Sequence, residues 1–127
     1  MNYMNYINHM NIKKLFLPFF VMLLLDFVYL STTGWFFSNM IKKIQGRPIK
    51  LNIPGLIITY LVIFICYYYF IIKKNGSIFD AFMLGFTTYG IYEMTNFTII
   101  NKWNWKAVIL DTLWGGILFG STRYLTK

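Results

Sequence analysis

The feature that most constrains the fold of this chain is an uncharged apolar run near its middle. From Pro54 to Ile72 the sequence reads PGLIITYLVIFICYYYFII, without a charged residue. A run of about 20 apolar residues is long enough to cross the roughly 30 Å hydrocarbon core of a bilayer as a helix. Proline is favoured in the first turn of a helix, so Pro54 marks the expected start. The run predicts a membrane-spanning helix over about residues 54–72.

Three further apolar segments predict spans at about 15–36, 78–100 and 105–125. Charged residues make up only 13% of the chain, about half of what a soluble domain carries, roughly 25%. So few charged residues cannot form the water-exposed surface of a soluble domain. We therefore predict an all-α integral membrane four-helix bundle, multi-pass, with both termini on the same side.

The chain divides into a short tail and this transmembrane domain, residues 15–127. Residues 1–14 begin with MNYMNYINHMN, a polar low-complexity stretch that shows no apolar face. Such a stretch favours a flexible tail. Between the third and fourth spans only Asn101–Asn104 remain, and a connection that short predicts an antiparallel hairpin. Trp103 and Trp105 are expected to lie at the membrane interface there.

The net charge of +8 could indicate nucleic acid, but the positions of the charges favour a lipid partner. Every Lys and Arg falls in the tail, in a loop or near a span end, where basic side chains reach toward lipid phosphates. We expect the bilayer as partner and no nucleic acid; a homo-oligomer stays open. The two sides carry equal numbers of Lys and Arg, so the charge rule assigns neither the orientation nor the membrane. The chain is rich in Ile, Asn, Lys, Tyr and Phe, which have AT-rich codons. This composition fits an AT-rich virus and an AT-rich microbe equally.

Three of the four acidic residues lie well inside the predicted spans, away from their ends: Asp26, Glu93 and Asp111. An ionised carboxylate at mid-bilayer costs on the order of 2.5–3.5 kcal/mol, so three of them predict a role. At 1.5 Å per residue, Glu93 and Asp111 each lie about 10 Å from the shared hairpin end. They are therefore expected at similar depth on adjacent helices. The fourth acid, Asp80, is expected at the interface.

Polar neighbours recur at the helical period around these acids. Tyr89, Glu93 and Asn96 share one face of the third helix, and Asp26, Tyr29 and Thr33 share one face of the first. Such faces are expected to point into the bundle, where hydroxyl and amide groups hydrogen-bond. The candidate site for a proton or small ligand comprises Asp26, Tyr89, Tyr92, Glu93, Asn96, Asp111 and Trp114.

Other motifs indicate packing and little catalytic chemistry. Gly116 and Gly120 form a GxxxG with Gly115 adjacent, a pattern that permits close helix approach. The single cysteine, Cys66, and the single histidine, His9, form no metal-ligand or nucleophile–base pattern. We therefore expect no metal, no cofactor and no enzymatic activity.

The blocks LLLDFVYL, YGIYEMTNFT and WNWKAVILDTLWGG resemble the membrane-protein family called domain of unknown function 2177. The resemblance covers about residues 15–125 and implies a four-helix membrane protein without a defined activity. The sequence departs from the family pattern at Glu93, where Asp is usual, and at Tyr29, where Trp is common. The matching positions are Asp26, Tyr92, Glu93, Thr95, Asn96, Trp103, Asp111, Trp114 and Gly115.

Three hypotheses of function follow from these residues. The first is an intramembrane carboxylate site that binds or transports a proton, a cation or a small polar ligand. The second is a structural or assembly protein in which the buried acids only fix helix packing. The third is a lipid-modifying membrane enzyme.

Overall fold

The computed structural model describes the backbone of residues 3–127 and the side chains of residues 12, 13 and 15–127. The side chain of His9 lies outside the described part. Within residues 3–127 the chain forms helices and no strand: α1 (Tyr3–Gln45), α2 (Ile53–Tyr67), α3 (Ile78–Ile99) and α4 (Trp105–Thr126). Helix α2 continues as a π-helical segment, Tyr68–Ile72. The all-α fold predicted from the sequence is confirmed.

Each of the last three helices begins where a side chain caps its first turn. Asn52 Oδ1 accepts a hydrogen bond from Gly55 N at 3.1 Å, and Asn104 Oδ1 accepts one from Lys106 N at 2.8 Å. Ser77 and Asp80 form a reciprocal capping box at the start of α3. These caps satisfy backbone donors that a helix start leaves without partners.

Helix α1 is longer than the predicted first span at both ends. Residues 3–14, predicted as a tail, continue its backbone, and so do residues 37–45, which were expected in a loop. No proline or glycine interrupts residues 35–45. Most of their apolar side chains pack against the turn between α3 and α4. The helix ends where Gly46 adopts a positive φ of 77° and donates its N–H to Lys42 O.

That extension of α1 covers the turn between α3 and α4. Met40, Trp103 and Ala107 are buried together there, packed by Phe37, Ile41 and other apolar neighbours. A second core cluster lies at the other end of the bundle and includes Tyr67, Ile71, Leu118 and Phe119. The acidic residues Asp26, Glu93 and Asp111 lie between these two clusters along their helices.

Arg123 departs from the prediction that basic residues at span ends reach the interface. It is only 6% exposed. Its Nε donates to Gly76 O at 2.9 Å and its Nη2 donates to Asn75 Oδ1 at 3.1 Å. These acceptors lie in the turn between α2 and α3, so Arg123 ties the end of α4 to that turn.

Two segments are long and apolar enough to cross a membrane: Leu15–Gln45 of α1, and α2 with its continuation, Ile53–Ile72. Helices α3 and α4 have 22 residues each, which suffices in length, but they are less apolar than these two segments. The crossing of the bilayer by α3 and α4 stays a prediction.

Candidate functional site

The three acids inside the helices converge on one side of α4. Asp26 on α1 is 7% exposed and Glu93 on α3 is 1% exposed, while Asp111 on α4 is half-buried. Their partners are phenol and indole groups supplied by α1, α2, α4 and the turn before α4. Together these residues form what we call the carboxyl network: Asp26, Glu93 and Asp111 with Tyr29, Tyr60, Trp103 and Trp114.

Glu93 and Asp111 lie within hydrogen-bonding reach of each other across the α3–α4 pair. The short turn at residues 100–104 folds the two helices antiparallel, so positions equally far from the turn face each other. The structure thus brings together the two carboxyl groups for which the sequence predicts matching depth. Because a carboxylate has no hydrogen to donate, a hydrogen bond between two carboxyl groups requires that one of them carries a proton.

Trp103 holds the other side of Glu93. Its Nε1 donates to Glu93 Oε2 at 2.8 Å, and the residue is only 9% exposed. Trp103 therefore packs inside the protein and does not face lipid; its position at the depth of the membrane interface stays a prediction. The extension of α1 covers this turn and buries the indole, whereas Trp105 stays 58% exposed.

Asp26 is held by two donors from two other helices. Trp114 Nε1 on α4 donates to Asp26 Oδ1 at 2.9 Å, and the Tyr60 hydroxyl on α2 donates to Asp26 Oδ2. Each carboxylate oxygen thus receives one hydrogen bond, which is how buried charged groups are commonly stabilised. Tyr60 was not among the residues predicted for the site.

Tyr29 connects the Asp26 centre to the Glu93–Asp111 pair. Its hydroxyl donates to Asp111 Oδ1 at 3.2 Å, and its ring stacks on Trp114 at 4.5 Å between centroids. Tyr29 and Asp26 are three residues apart on α1, so both side chains point toward α4. Ring stacking and hydrogen bonds therefore run without a break from Tyr60 to Trp103.

Three predicted site residues do not join this network. Tyr92 is 58% exposed, because the position before Glu93 is rotated by about 100° around the helix. Tyr89 packs edge-on to Phe119 at 6.2 Å, and half-buried Asn96 accepts the hydrogen bond of Ile100 N at the end of α3. Among the described residues, neither Tyr89 nor Asn96 donates to a carboxyl group of the network.

The glycines of α4 lie directly against α3. A Cβ on Gly115 would meet Gly85 O and the Tyr89 ring, and a Cβ on Gly116 would lie 2.7 Å from Phe82 Cε2. Gly120 is also buried beside Phe82. Gly85, which the sequence analysis did not single out, is the counterpart: its Cβ would meet Gly115 O. We call Gly85, Gly115, Gly116, Gly120 and Phe82 the glycine contact.

The arrangement suits hydrogen bonding better than metal coordination. Within the part of the chain that the structure describes, no three His, Cys, Asp or Glu side chains are grouped so as to hold a metal ion. The oxygens of the three acids instead face N–H and O–H donors or a second carboxyl group.

Comparison with known proteins identifies the chain at the level of the family. The model of the family DUF2177, described as a predicted membrane protein, matches residues 11–126. A search of curated proteins and a search of solved structures each found no match. The chain belongs to the DUF2177 family of predicted membrane proteins.

Proposed function

We propose that this member of a membrane-protein family binds a proton inside the bilayer, on the carboxyl pair formed by Glu93 and Asp111. The observation that carries the proposal is the contact between these two carboxyl groups within a buried network. In this proposal all four helices cross the membrane and both termini lie on the same side. Proton transport is the activity that such a site would serve.

Electrostatics favours a proton at this pair. Two negative charges in contact repel strongly where little water screens them. The groups that donate to the pair, Trp103 and Tyr29, are neutral and supply no balancing charge. A single proton between the carboxyl groups replaces the repulsion by a hydrogen bond, and its loss restores the repulsion. The pair therefore titrates as one coupled unit.

A proton fits this site better than a divalent cation does. Ca²⁺ takes about 6–8 oxygen ligands and Mg²⁺ takes six in near-octahedral geometry. Here Glu93 and Asp111 each direct oxygens at indole or phenol donors, which would compete with a cation. A proton needs only the two carboxyl oxygens that face each other.

The outward faces of α3 and α4 support their crossing of the bilayer. Ile91, Met94, Leu113 and Ile117 are all more than one-third exposed, and apolar side chains on an outer surface suit lipid contact. Glu93 and Asp111 face inward instead. Polar residues in membrane helices usually face the bundle interior in this way.

Infrared spectroscopy of the purified protein tests proton binding directly. The native protein should show the stretch of a protonated carboxyl group that disappears as pH is raised. Glu93→Gln or Asp111→Asn should remove this titrating band, whereas Tyr92→Phe, on the exposed face of the same helix, should keep it. A native protein without a titrating carboxyl band would refute the proposal.

Proton flux into liposomes tests the transport step separately. A potassium gradient with valinomycin drives protons into vesicles that contain a pH-sensitive dye. The native protein and Tyr92→Phe should acidify the lumen, and Asp111→Asn should not. Titration of the pair without flux would restrict the function to proton binding.

A structural role is the second candidate function, because the carboxyl network joins several helices. Its hydrogen bonds join α1 to α2 through Tyr60 and α1 to α4 through Tyr29 and Trp114. If fixing the helices is its whole function, amide variants of the acids should lower stability in detergent without changing any proton signal.

A further inference from the structure

A groove on the outer surface of the bundle separates α1 from α4. It encloses about 440 Å³ and is lined by Trp35, Phe36, Trp105, Lys106, Leu110 and Leu113, among others. From Trp105 to Leu113 it extends about 12 Å along α4, at 1.5 Å per residue. Its walls are nearly all apolar, so its natural occupant in a bilayer is a hydrocarbon chain. We call it the Lys106 groove.

Lys106 gives the groove a charged end. It lies in the first turn of α4, and its ammonium group is 5.8 Å from the centre of the Trp105 ring. Trp35 and Trp105, on the two sides of the groove, are 68% and 58% exposed. Lysine and tryptophan concentrate at the depth of lipid headgroups, so the groove runs from that depth into the hydrocarbon.

The exposed charged residues at this end of the bundle are basic. The acids of the chain lie elsewhere: Asp80 is at the opposite end of α3, and the other three belong to the carboxyl network. The basic residues at this end of the bundle, besides Lys106, are Lys42, Lys43, Arg47, Lys50 and Lys102. Basic residues next to membrane helices attract anionic lipid headgroups.

A second groove, between α3 and α4, provides a contrast. It encloses about 610 Å³ and is lined by Phe86, Ile91 and Met94, among others. Among the described residues, no charged side chain lines it. Both grooves can accept acyl chains, but only the Lys106 groove offers a cation to the headgroup of the same lipid.

We propose that the Lys106 groove binds an anionic phospholipid, with one acyl chain along α4 and the phosphate beside Lys106. The proposal rests on the fit of an apolar groove to hydrocarbon and of its single cation to an anionic headgroup. It is independent of the proton site, because no residue of the carboxyl network lines the groove.

Tryptophan quenching by brominated lipids tests this proposal with the full chain in phosphatidylcholine vesicles. Trp35 and Trp105 in the groove wall report on bromine in an adjacent acyl chain. Brominated phosphatidylglycerol should quench more than brominated phosphatidylcholine at the same mole fraction. Since one basic residue near the surface contributes about 1 kcal/mol, Lys106→Ala should lower the selectivity for the anionic lipid about fivefold.

Two variants control for charge and position. Lys106→Arg keeps the cation and should keep the selectivity. Lys102→Ala removes an exposed cation from the same end of the bundle, outside the groove wall, and should also keep most of it. Equal quenching by the two lipids in the native protein would overturn the proposal. An equal loss in Lys102→Ala and Lys106→Ala would also overturn it, because it would indicate diffuse attraction.

Discussion

The carboxyl network and the glycine contact hold the helices of this bundle together by opposite means. At the glycine contact, α3 and α4 touch through backbone and ring atoms because Gly85 and Gly115 have no side chain. In the network, long side chains cross the gap between helices and end in hydrogen bonds, such as that from Trp114 on α4 to Asp26 on α1. The first region depends on the absence of atoms, and the second depends on the presence of donors.

This difference explains why the bundle can carry acids in its middle. The close approach at Gly85 and Gly115 fixes the separation and register of α3 and α4, which places Glu93 against Asp111. The acids then need only tyrosine and tryptophan side chains that are long enough to reach them and donate hydrogen bonds. The two regions should therefore respond to different substitutions, and their responses should rank from large to small.

The largest effect is expected when an atom is added at the glycine contact. Gly85→Ala places a Cβ against the backbone carbonyl of Gly115, which cannot move without separating the helices. Overpacking of this kind costs about 1–3 kcal/mol and more where backbone must shift. Unfolding in detergent micelles should show a loss near or above the upper end of that range. A stability equal to that of the native protein would contradict the close contact.

Removal of a donor from the network should have the next largest effect. Trp103→Phe keeps an aromatic ring of smaller size and leaves Glu93 without its indole donor. An unsatisfied buried group costs about 1–3 kcal/mol, and the space left by the smaller ring adds to the loss. Trp105→Phe, the same change at a 58% exposed neighbour, is the matched control. The thermal midpoint should fall for Trp103→Phe and stay near the native value for Trp105→Phe. Equal midpoints would show that the indole bond contributes nothing to stability.

A smaller loss is expected for Tyr60→Phe. Asp26 retains the hydrogen bond from Trp114, so only one of its two donors is lost. A single hydrogen bond to a charged group contributes about 1.5–3 kcal/mol when buried, and half-buried Tyr60 should fall at or below the lower end. Tyr92→Phe, at an exposed tyrosine, provides the baseline in the same denaturation assay. A larger loss than for Trp103→Phe would reverse the proposed ranking.

The smallest effect is expected at a glycine that touches nothing. A Cβ on Gly34 in α1 would have no atom within 4 Å. Gly34→Ala should stabilise α1 by up to about 1 kcal/mol, because alanine has the higher helix propensity. A destabilised Gly34→Ala protein would contradict this expectation. It would show that a lipid or another chain packs closely against Gly34 on the surface of α1.

The four helices could be predicted from the sequence because apolar length and short connections are local properties. The uncharged run at Pro54–Ile72 and the short turn before Trp105 are examples. The ends of α1 could not be predicted in this way. Residues 37–45 are helical because they pack on the turn that contains Trp103, and that partner surface lies more than 50 residues away in the chain.

The candidate site was predictable in its acids and less so in its donors. Asp26, Glu93 and Asp111 stand out because a charge inside an apolar span is costly. Tyr29 could be linked to Asp26 because they are three residues apart, which places both on one face of a helix. Tyr60 could not be predicted, because it lies in an apolar run without polar residues at helical spacing. Tyr92 and Asn96 lie in the same sequence block as Glu93, yet neither belongs to the network. Tyr92 points to the exposed face of α3, and Asn96 lies near the end of that helix, where its carbonyl accepts the hydrogen bond of Ile100 N.

The sequence alone determined the membrane class, the all-helical architecture and the three acids that the helices must shelter. Those properties follow from composition and from apolar runs, which act on each segment separately. Only the tertiary structure decided which donor meets which acid: Tyr60 and Trp114 on Asp26, Tyr29 on Asp111 and Trp103 on Glu93. These pairings depend on the distances and rotations between helices, which no single segment encodes; for α3 and α4, the contact of Gly85 with Gly115 sets the separation.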